Sequence, residues 1–113
     1  MAYDLHLADR IRKILADQSV RFKEKEMFGG IAFMVNNKMC TGIIKNDLMA
    51  RIDPEIFDSA LKKKGARPMD FAHRPMKGYV YVSPEGIDSS KDLKYWIDLC
   101  LDFNPKAKSS KKK

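Results

Sequence analysis

Two histidines and two cysteines are the side chains of this 113-residue chain best suited to catalysis, but their placement argues against it. Nucleophilic catalysis requires a nucleophile, a base and an orienting group in one constellation. His6 falls in a predicted helix as a surface or interface residue, and His73 falls in a loop beside Arg74, where structural hydrogen bonding is the simpler interpretation. Cys40 and Cys100 have no C-x-x-C partner and no metal-binding spacing. We therefore expect no enzyme, no metal site and no cofactor.

A stronger chemical signal is a short segment stiffened by prolines that carries two arginines. In Arg67-Pro68-Met69 and Arg74-Pro75-Met76-Lys77-Gly78, each arginine directly precedes a proline, which favours extended backbone at the arginine. With Arg51 on a neighbouring predicted strand, these guanidinium groups can bind a carboxylate or a phosphate through paired hydrogen bonds. The alternative is that they pair with Asp47, Asp70 or other local acids and only stabilise the connection.

A glycine pair between apolar residues marks a second candidate surface. Met27-Phe28-Gly29-Gly30 lies at a predicted hairpin, where glycine permits a bend or a close approach that a Cβ would prevent. It lacks the Lys-Ser/Thr and the following helix of a phosphate-binding loop. We expect this bend and the arginine segment to lie near each other, although a purely architectural role is the alternative. The candidate partner-binding residues are Met27, Phe28, Gly29, Gly30, Arg51, Arg67, Met69, Arg74, Met76 and Lys77.

Length and composition are those of one globular domain. Hydrophobic residues make up 44% of the chain and charged residues 33%, which is ordinary for a water-soluble protein. No apolar run approaches the roughly 20 residues that span a bilayer, and the first residues lack the pattern of a secretory signal. With no disulfide framework, these features favour a cytoplasmic protein that does not contact membranes.

The net charge of +7 is concentrated at the C-terminal end of the chain. Residues 105–113 hold five lysines and no acid, and without them the net charge is +2. A segment of this composition is predicted to be a disordered, Lys-rich tail that follows a folded domain of residues 1–104. The tail is interpreted either as a solubilising end or as a phosphate-binding arm.

Apolar periodicity and capping residues predict three helices. Residues 4–18, a segment that begins at Asp53-Pro54 and ends before Gly65, and residues 90–103 each carry one apolar stripe. Because every stripe must be buried, we expect the helices to cover one face of a sheet. The core residues predicted from these stripes are Ile11, Leu15, Phe57, Leu61, Trp96, Ile97 and Leu101.

The remaining segments predict antiparallel strands. Residues 20–27 alternate poorly and are interpreted as an edge strand, whereas residues 31–35 and 38–44 form a hairpin around Asn36-Asn37, a pair that tolerates positive φ. Residues 48–52, 67–71 and 78–82 are also extended. The predicted fold class is α+β, an antiparallel sheet of about five strands with helices packed on it, in the order α-β-β-β-α-β-β-α.

Several short segments, in this order and spacing, resemble the N-terminal domain of the TfoX/Sxy family, bacterial proteins linked to the regulation of natural competence. The resemblance covers about residues 3–104. It rests on Met27-Phe28-Gly29-Gly30, Asn36-Asn37-Lys38-Met39, Leu48-Met49-Ala50-Arg51, Ala66-Arg67-Pro68-Met69 and Pro75-Met76-Lys77-Gly78-Tyr79-Val80. Longer family members carry a second, C-terminal domain, and we expect this chain to be a stand-alone copy of the first.

The resemblance implies a non-catalytic regulatory or adaptor domain of the type found in competence and transcription regulators. Such a domain acts through protein–protein contact, with another protein or with a second copy of the chain in a homodimer. The alternative is a nucleic-acid-binding accessory protein that uses the basic tail and the loop arginines. The sequence shows no helix-turn-helix pattern and no aromatic platform with interleaved basic residues, which favours the first interpretation.

Overall fold

The first and last helices form where a capping residue precedes an apolar stripe. The computed structural model describes residues 3–27, 30–71 and 74–106. Helix α1 is Leu5–Asp17, and the Asp4 carboxylate accepts hydrogen bonds from the backbone N–H groups of His6 and Leu7 at 2.9 and 3.1 Å. Helix α3 is Ser90–Phe103, capped by the Ser89 hydroxyl. Both predicted helices are confirmed.

The second helix is shorter than the sequence predicts. Asp53 caps a 3-10 turn at Pro54–Ile56, and helix α2 follows as a single turn, Phe57–Ala60. After Leu61 come three lysines, so a further turn would have no apolar stripe to bury. Gly65, with φ of +80°, then ends the connection in a conformation that favours glycine.

The sheet has six strands within the described residues, one more than predicted. The strands are β1 (Lys23–Met27), β2 (Gly30–Val35), β3 (Lys38–Ile44), β4 (Asp47–Arg51), β5 (Ala66–Phe71) and β6 (Arg74–Val82). Their order in the antiparallel sheet is β1-β2-β3-β4-β6-β5. Four strands precede α2, where the predicted order counts three. The first of them, β1, lies at the edge of the sheet, which confirms the edge strand predicted over residues 20–27.

Local turn chemistry sets the register of the central hairpin. Asn36 and Asn37 have φ of 57° and 64°, and the flanking residues Val35 and Lys38 pair directly, so the predicted two-residue turn is confirmed. The register then shifts by one residue, which leaves Cys40 as a bulge. At 1% exposure, Cys40 is turned into the core.

All three described helices pack on one face of the sheet, which carries alternate residues of β2, β3, β4 and β6. Trp96 of α3 is the largest fully buried side chain. Among the predicted core residues, Ile11, Leu15, Phe57, Trp96 and Ile97 are buried. Leu61 and Leu101 are half-buried and pack against the margin of the core. The predicted single-sided arrangement of helices is therefore confirmed.

Two cysteines that are distant in the sequence meet in this core. The thiol of Cys100 in α3 contacts the thiol of Cys40 at the bulge, and both cysteines are unoxidised. Burial away from water, together with the neighbouring thiol, raises the pKa of Cys100 well above its ordinary value. A raised pKa keeps the sulfur in its unreactive thiol form.

The end of α3 is attached to the β2–β3 turn. Asn104 is 2% exposed; its Nδ2 donates to the carbonyl oxygen of Val35 at 3.0 Å, and its Oδ1 accepts from Asn36 Nδ2 at 2.9 Å. Lys38 Nζ donates to the Asn104 carbonyl at 3.1 Å, which places a cation at the negative end of the helix. A 3-10 turn, Asn104–Lys106, continues beyond the predicted domain end. Residues 107–113 of the predicted tail lie outside the described residues.

Both edges of the sheet carry residues that discourage pairing with a further strand. Lys23 and Lys25 lie on the β1 edge, and Pro68 removes a backbone donor from the β5 edge. In the part of the chain that the structure describes, no helix is long and apolar enough to cross a membrane.

Candidate functional site

The described helices pack on one face of the sheet and leave the opposite face uncovered. One row of paired residues crosses all six strands: Lys25, Ala32, Gly42, Met49, Tyr81 and Arg67. Ala32 and Met49 are fully buried, although neither belongs to the core that the helices fill. A Cβ on Gly42 would lie 2.7 Å from the Met49 methyl carbon, so Met49 lies across this glycine. The centre of the face is therefore apolar and close-packed.

Two arginines and two tyrosines adjoin this centre. Tyr79 and Tyr81 are two residues apart on β6, which places both rings on the uncovered face. Arg51 pairs with Tyr79 from β4, and its guanidinium carbon lies 5.4 Å from the ring centroid. Arg67 pairs with Tyr81 from β5, at 5.2 Å. Both distances allow a cation–π attraction. We call this group, Arg51, Arg67, Tyr79 and Tyr81, the Arg–Tyr face.

Arg67 also has the local partner that the alternative interpretation expects. Its Nη2 lies 2.7 Å from Asp47 Oδ2, and 47% of the Arg67 side chain is exposed. An ion pair in such an exposed setting contributes little to stability. Because a guanidinium has five N–H donors, the contact with Asp47 leaves donors for a second acceptor.

Two half-buried methionines extend the face toward β1. Met34 of β2 and Met39 of β3 are directly paired, with their side chains on the same side of the sheet as Met49. Flexible thioether side chains adapt to different binding partners. The face is therefore apolar at β2 and β3 and carries paired arginines and tyrosines at β4, β5 and β6.

The structure places Gly30 at the start of β2, against the neighbouring strand. A Cβ at this position would overlap the carbonyl oxygen of Ile43, so glycine is required for the close approach of β2 and β3. This geometry fits the architectural alternative for Gly30. Two strands, β3 and β4, separate β2 from β6, so Gly30 and the arginine segment share a sheet but are not adjacent. Phe28 and Gly29 lie outside the described residues, as does the Met27 side chain.

The β5–β6 hairpin carries the other candidate residues. Arg51, the last residue of β4, pairs with Tyr79, so the first residues of β6 extend past the end of β4. Met69, Arg74, Met76 and Lys77 lie on this hairpin, but their side chains are outside the described part of the structure, and His73 is outside it altogether. Their role in partner binding stays a prediction.

The two tyrosines are the residues that sequence reasoning missed. Alternation in Tyr79-Val80-Tyr81-Val82 already indicates that both rings share one face. Their contact with Arg51 and Arg67 depends on β6 lying between β4 and β5, an order that no local pattern encodes. Among the described residues, no three His, Cys, Asp or Glu side chains are grouped so as to hold a metal ion.

Comparison with known proteins gives one match. The family model of the TfoX N-terminal domain matches residues 13–104, from within α1 to the residue that follows α3. No curated protein and no solved structure matches the chain significantly. The matched span includes every strand of the sheet and all four residues of the Arg–Tyr face.

Proposed function

The chain belongs to the TfoX N-terminal domain family, and from this membership we propose that it is a non-catalytic regulatory or adaptor domain that acts through protein–protein contact. The resemblance of its motifs to those of competence regulators supports a role in transcription regulation. The Arg–Tyr face, with the methionines beside it, is the proposed contact surface.

The main support for this proposal is that the uncovered face is rich in tyrosine, methionine and arginine. Tyrosine, methionine and arginine are enriched in the centres of protein interfaces, and tyrosine and arginine dominate their binding energy. Arg51, Arg67, Tyr79 and Tyr81 provide such side chains on β-strands, which hold them in place at low entropic cost. Because both sheet edges discourage added strands, a partner is expected to dock on the face rather than extend the sheet.

The charge of the face favours an acidic partner. Lys23, Lys25, Arg51 and Arg67 lie on this side of the sheet, and the carboxylate of Asp47 on the same side is paired with Arg67. A symmetric contact with a second copy would bring like charges together. A homodimer would therefore use a different surface, and the proposed partner is another protein with an acidic contact patch.

Single-stranded nucleic acid is the second candidate, favoured by the position of the tyrosines. Aromatic side chains on an open sheet, flanked by cations, are a common platform on which bases stack. Tyr79 and Tyr81 next to Arg51 and Arg67 provide this combination, which the sequence alone does not reveal. The Lys-rich segment 106–113 would add contacts with phosphates.

A capture experiment tests the proposal. Three proteins are immobilised and incubated with host extract, with and without nuclease: the wild type, the double variant Arg67→Gln/Tyr81→Thr and the control Lys91→Gln. The control changes an exposed residue of α3. We expect a protein that is retained by the wild type and the control, and about 30-fold weaker retention by the double variant, as for loss of a binding hot spot.

The outcomes separate the two candidates. Capture of nucleic acid that depends on the same two side chains would favour the second candidate. Circular dichroism and thermal unfolding check that the double variant is folded. If a folded double variant retains the same partner as strongly as the wild type does, the Arg–Tyr face is not the contact surface.

A further inference from the structure

A pocket opens between the segment that leads into β1 and the turn that joins β2 to β3. Pairing of β1 with β2 begins at Lys23 and Met34, and β2 extends one residue beyond this pair, to Val35. The chain before Lys23 therefore separates from the end of β2, and the pocket lies in the gap. Its volume is about 500 Å³, within the range of sites that bind small molecules.

Both walls of this pocket are held by contacts with the rest of the domain. On one wall, the ring of Phe22 meets the core residue Phe33 edge-on, with ring centroids 5.8 Å apart. The other wall is the Asn36-Asn37 turn, where Asn36 Nδ2 donates to the buried Asn104 at 2.9 Å. Walls that are fixed before a ligand arrives reduce the conformational entropy lost on binding.

The charged side chains that line the pocket are cationic. Arg21 and Lys23 are both exposed, and neither side chain forms an ion pair with any residue in the described part of the chain. The neighbouring acid, Glu24, is bound through both carboxylate oxygens by Arg12 of α1, on the helix side of the sheet. The positive charge at the pocket therefore favours an anion. The side-chain amide of Asn37 adds a polar group to the same site.

Three other lining residues are apolar. Val20, Phe22 and Met34 are half-buried, so part of each residue stays exposed. Met34 pairs directly with Lys23 across the strands, which brings an apolar and a cationic side chain together on the same side of the sheet. Small-molecule sites typically combine apolar walls with a few polar groups that orient the ligand.

We propose that this pocket binds a small ligand in which an apolar body carries an anionic group, either a carboxylate or a phosphate. The apolar body contacts Met34 and the other apolar lining residues, and Arg21 and Lys23 donate hydrogen bonds to the anionic group. The inference goes beyond the proposed protein contact, because the pocket contains none of the four residues of the Arg–Tyr face. Its test needs no protein partner, so the two proposals can fail separately.

Titration of the isotope-labelled protein followed by amide NMR tests the pocket. Naphthoate and naphthyl phosphate carry the complete proposed chemistry, whereas acetate, inorganic phosphate and naphthol each carry half of it. For the two naphthyl anions we expect saturable shifts of the Lys23, Met34 and Asn37 amides, with Kd on the order of 1 mM. The three half probes should bind at least about tenfold more weakly. The ratio of the two naphthyl anion affinities identifies the preferred anionic group.

Two variants and one matched control complete the test. The double variant Arg21→Gln/Lys23→Gln removes both cations and should weaken binding of the naphthyl anions about fivefold or more. Met34→Gln keeps the length of the side chain but makes it polar, and should weaken binding about threefold or more. The control Lys25→Gln removes a cation from the same side of β1 but outside the pocket, and should change the affinity by less than about twofold.

The amide spectra also report whether each variant is folded. The proposal is overturned if neither naphthyl anion causes saturable shifts, if the shifts lie at Tyr79 and Tyr81 instead of the pocket, or if the half probes bind as tightly as the naphthyl anions. It is equally overturned if either variant is folded and binds the naphthyl anions as tightly as the Lys25→Gln control does.

Discussion

Asn104 is a polar residue that is almost completely buried, with 2% of its surface exposed. Its Nδ2 donates a hydrogen bond to the Val35 carbonyl oxygen, and its Oδ1 accepts one from Asn36 Nδ2, so both polar atoms of the side chain have a partner. Buried polar groups are stable only when paired in this way, and loss of one partner leaves the others unsatisfied. A single amide therefore fixes the end of α3 to the β2–β3 turn.

Replacement of Asn104 by alanine should lower the free energy of unfolding by about 1–3 kcal/mol. The change leaves the Val35 carbonyl and the Asn36 amide without their partner, and it opens a small cavity. Urea denaturation measures the effect, with the exposed change Asp102→Ala as the matched control. A loss below about 0.5 kcal/mol, the usual range of surface substitutions, would show that the attachment is not important for stability.

The contact between Cys40 and Cys100 marks a limit of sequence reasoning at the residue scale. Cys100 lies four residues after Trp96 and three after Ile97, so helical periodicity, which is a local pattern, places it on the buried side of α3. Cys40 reaches the core through a bulge that shifts the β2–β3 register by one residue. A bulge depends on how two strands meet, so the linear sequence contains no direct sign of this contact.

At the scale of elements, an ion pair joins α1 to the edge strand β1. Arg12 Nε lies 2.6 Å from Glu24 Oε2, and Arg12 Nη2 lies 2.9 Å from Glu24 Oε1. The guanidinium therefore binds the carboxylate in a bidentate manner. The hydrogen bond from Arg12 lowers the pKa of Glu24 below its ordinary value. Because the folded pKa is lowered, the carboxylate contributes stability above its unfolded pKa of about 4.3 and loses it as the pH falls through the folded pKa.

The change Glu24→Gln should therefore destabilise the protein at pH 7 and have little effect in strong acid. The expected loss at pH 7 is below about 1 kcal/mol, because one third of the Glu24 side chain is exposed and solvent screens the pair. Urea unfolding at a series of pH values checks this, with Glu26→Gln, an exposed carboxylate of the same strand, for comparison. A difference from wild type that stays constant from pH 7 to pH 3 would contradict the proposed role of Arg12.

Elements with local signals were predictable, and those that depend on distant partners were not. The caps at Asp4 and Ser89 and the turn at Asn36-Asn37 lie within a few residues of what they control. The shortening of α2 and the start of β1 at Lys23, three residues later than predicted, depend on what lies alongside them. The Arg–Tyr face depends on β6 lying between β4 and β5, so its arginines were identified from sequence while its tyrosines were not.

At the scale of the whole molecule, most of the net positive charge lies in the Lys-rich segment that begins at Lys106. Deletion of residues 107–113 removes four lysines and leaves Lys106 beside Asp53. We expect the melting temperature to change by less than about 2 °C, because the segment has almost no apolar surface to bury.

The same deletion separates the two functional candidates. If the protein binds single-stranded nucleic acid through these lysines, the slope of log K against log salt should become shallower by up to about 3. If it binds an acidic protein through the Arg–Tyr face, partner affinity should be nearly unchanged. Fluorescence anisotropy at several salt concentrations measures both. A fall of several degrees in melting temperature would instead show that the deleted segment packs on the domain.

The position of α3 in the chain affects how the protein is made. Trp96 and Ile97 fill the centre of the core, yet α3 leaves the ribosome after all six strands of the sheet. Until then, the apolar side of the nascent sheet lacks the helix that covers its middle strands, and such a surface attracts chaperones and other unfolded chains. The core therefore cannot be completed before α3 has been synthesised. A ribosome that stalls before that point exposes a nascent chain in which the apolar side of the sheet is uncovered and prone to aggregate.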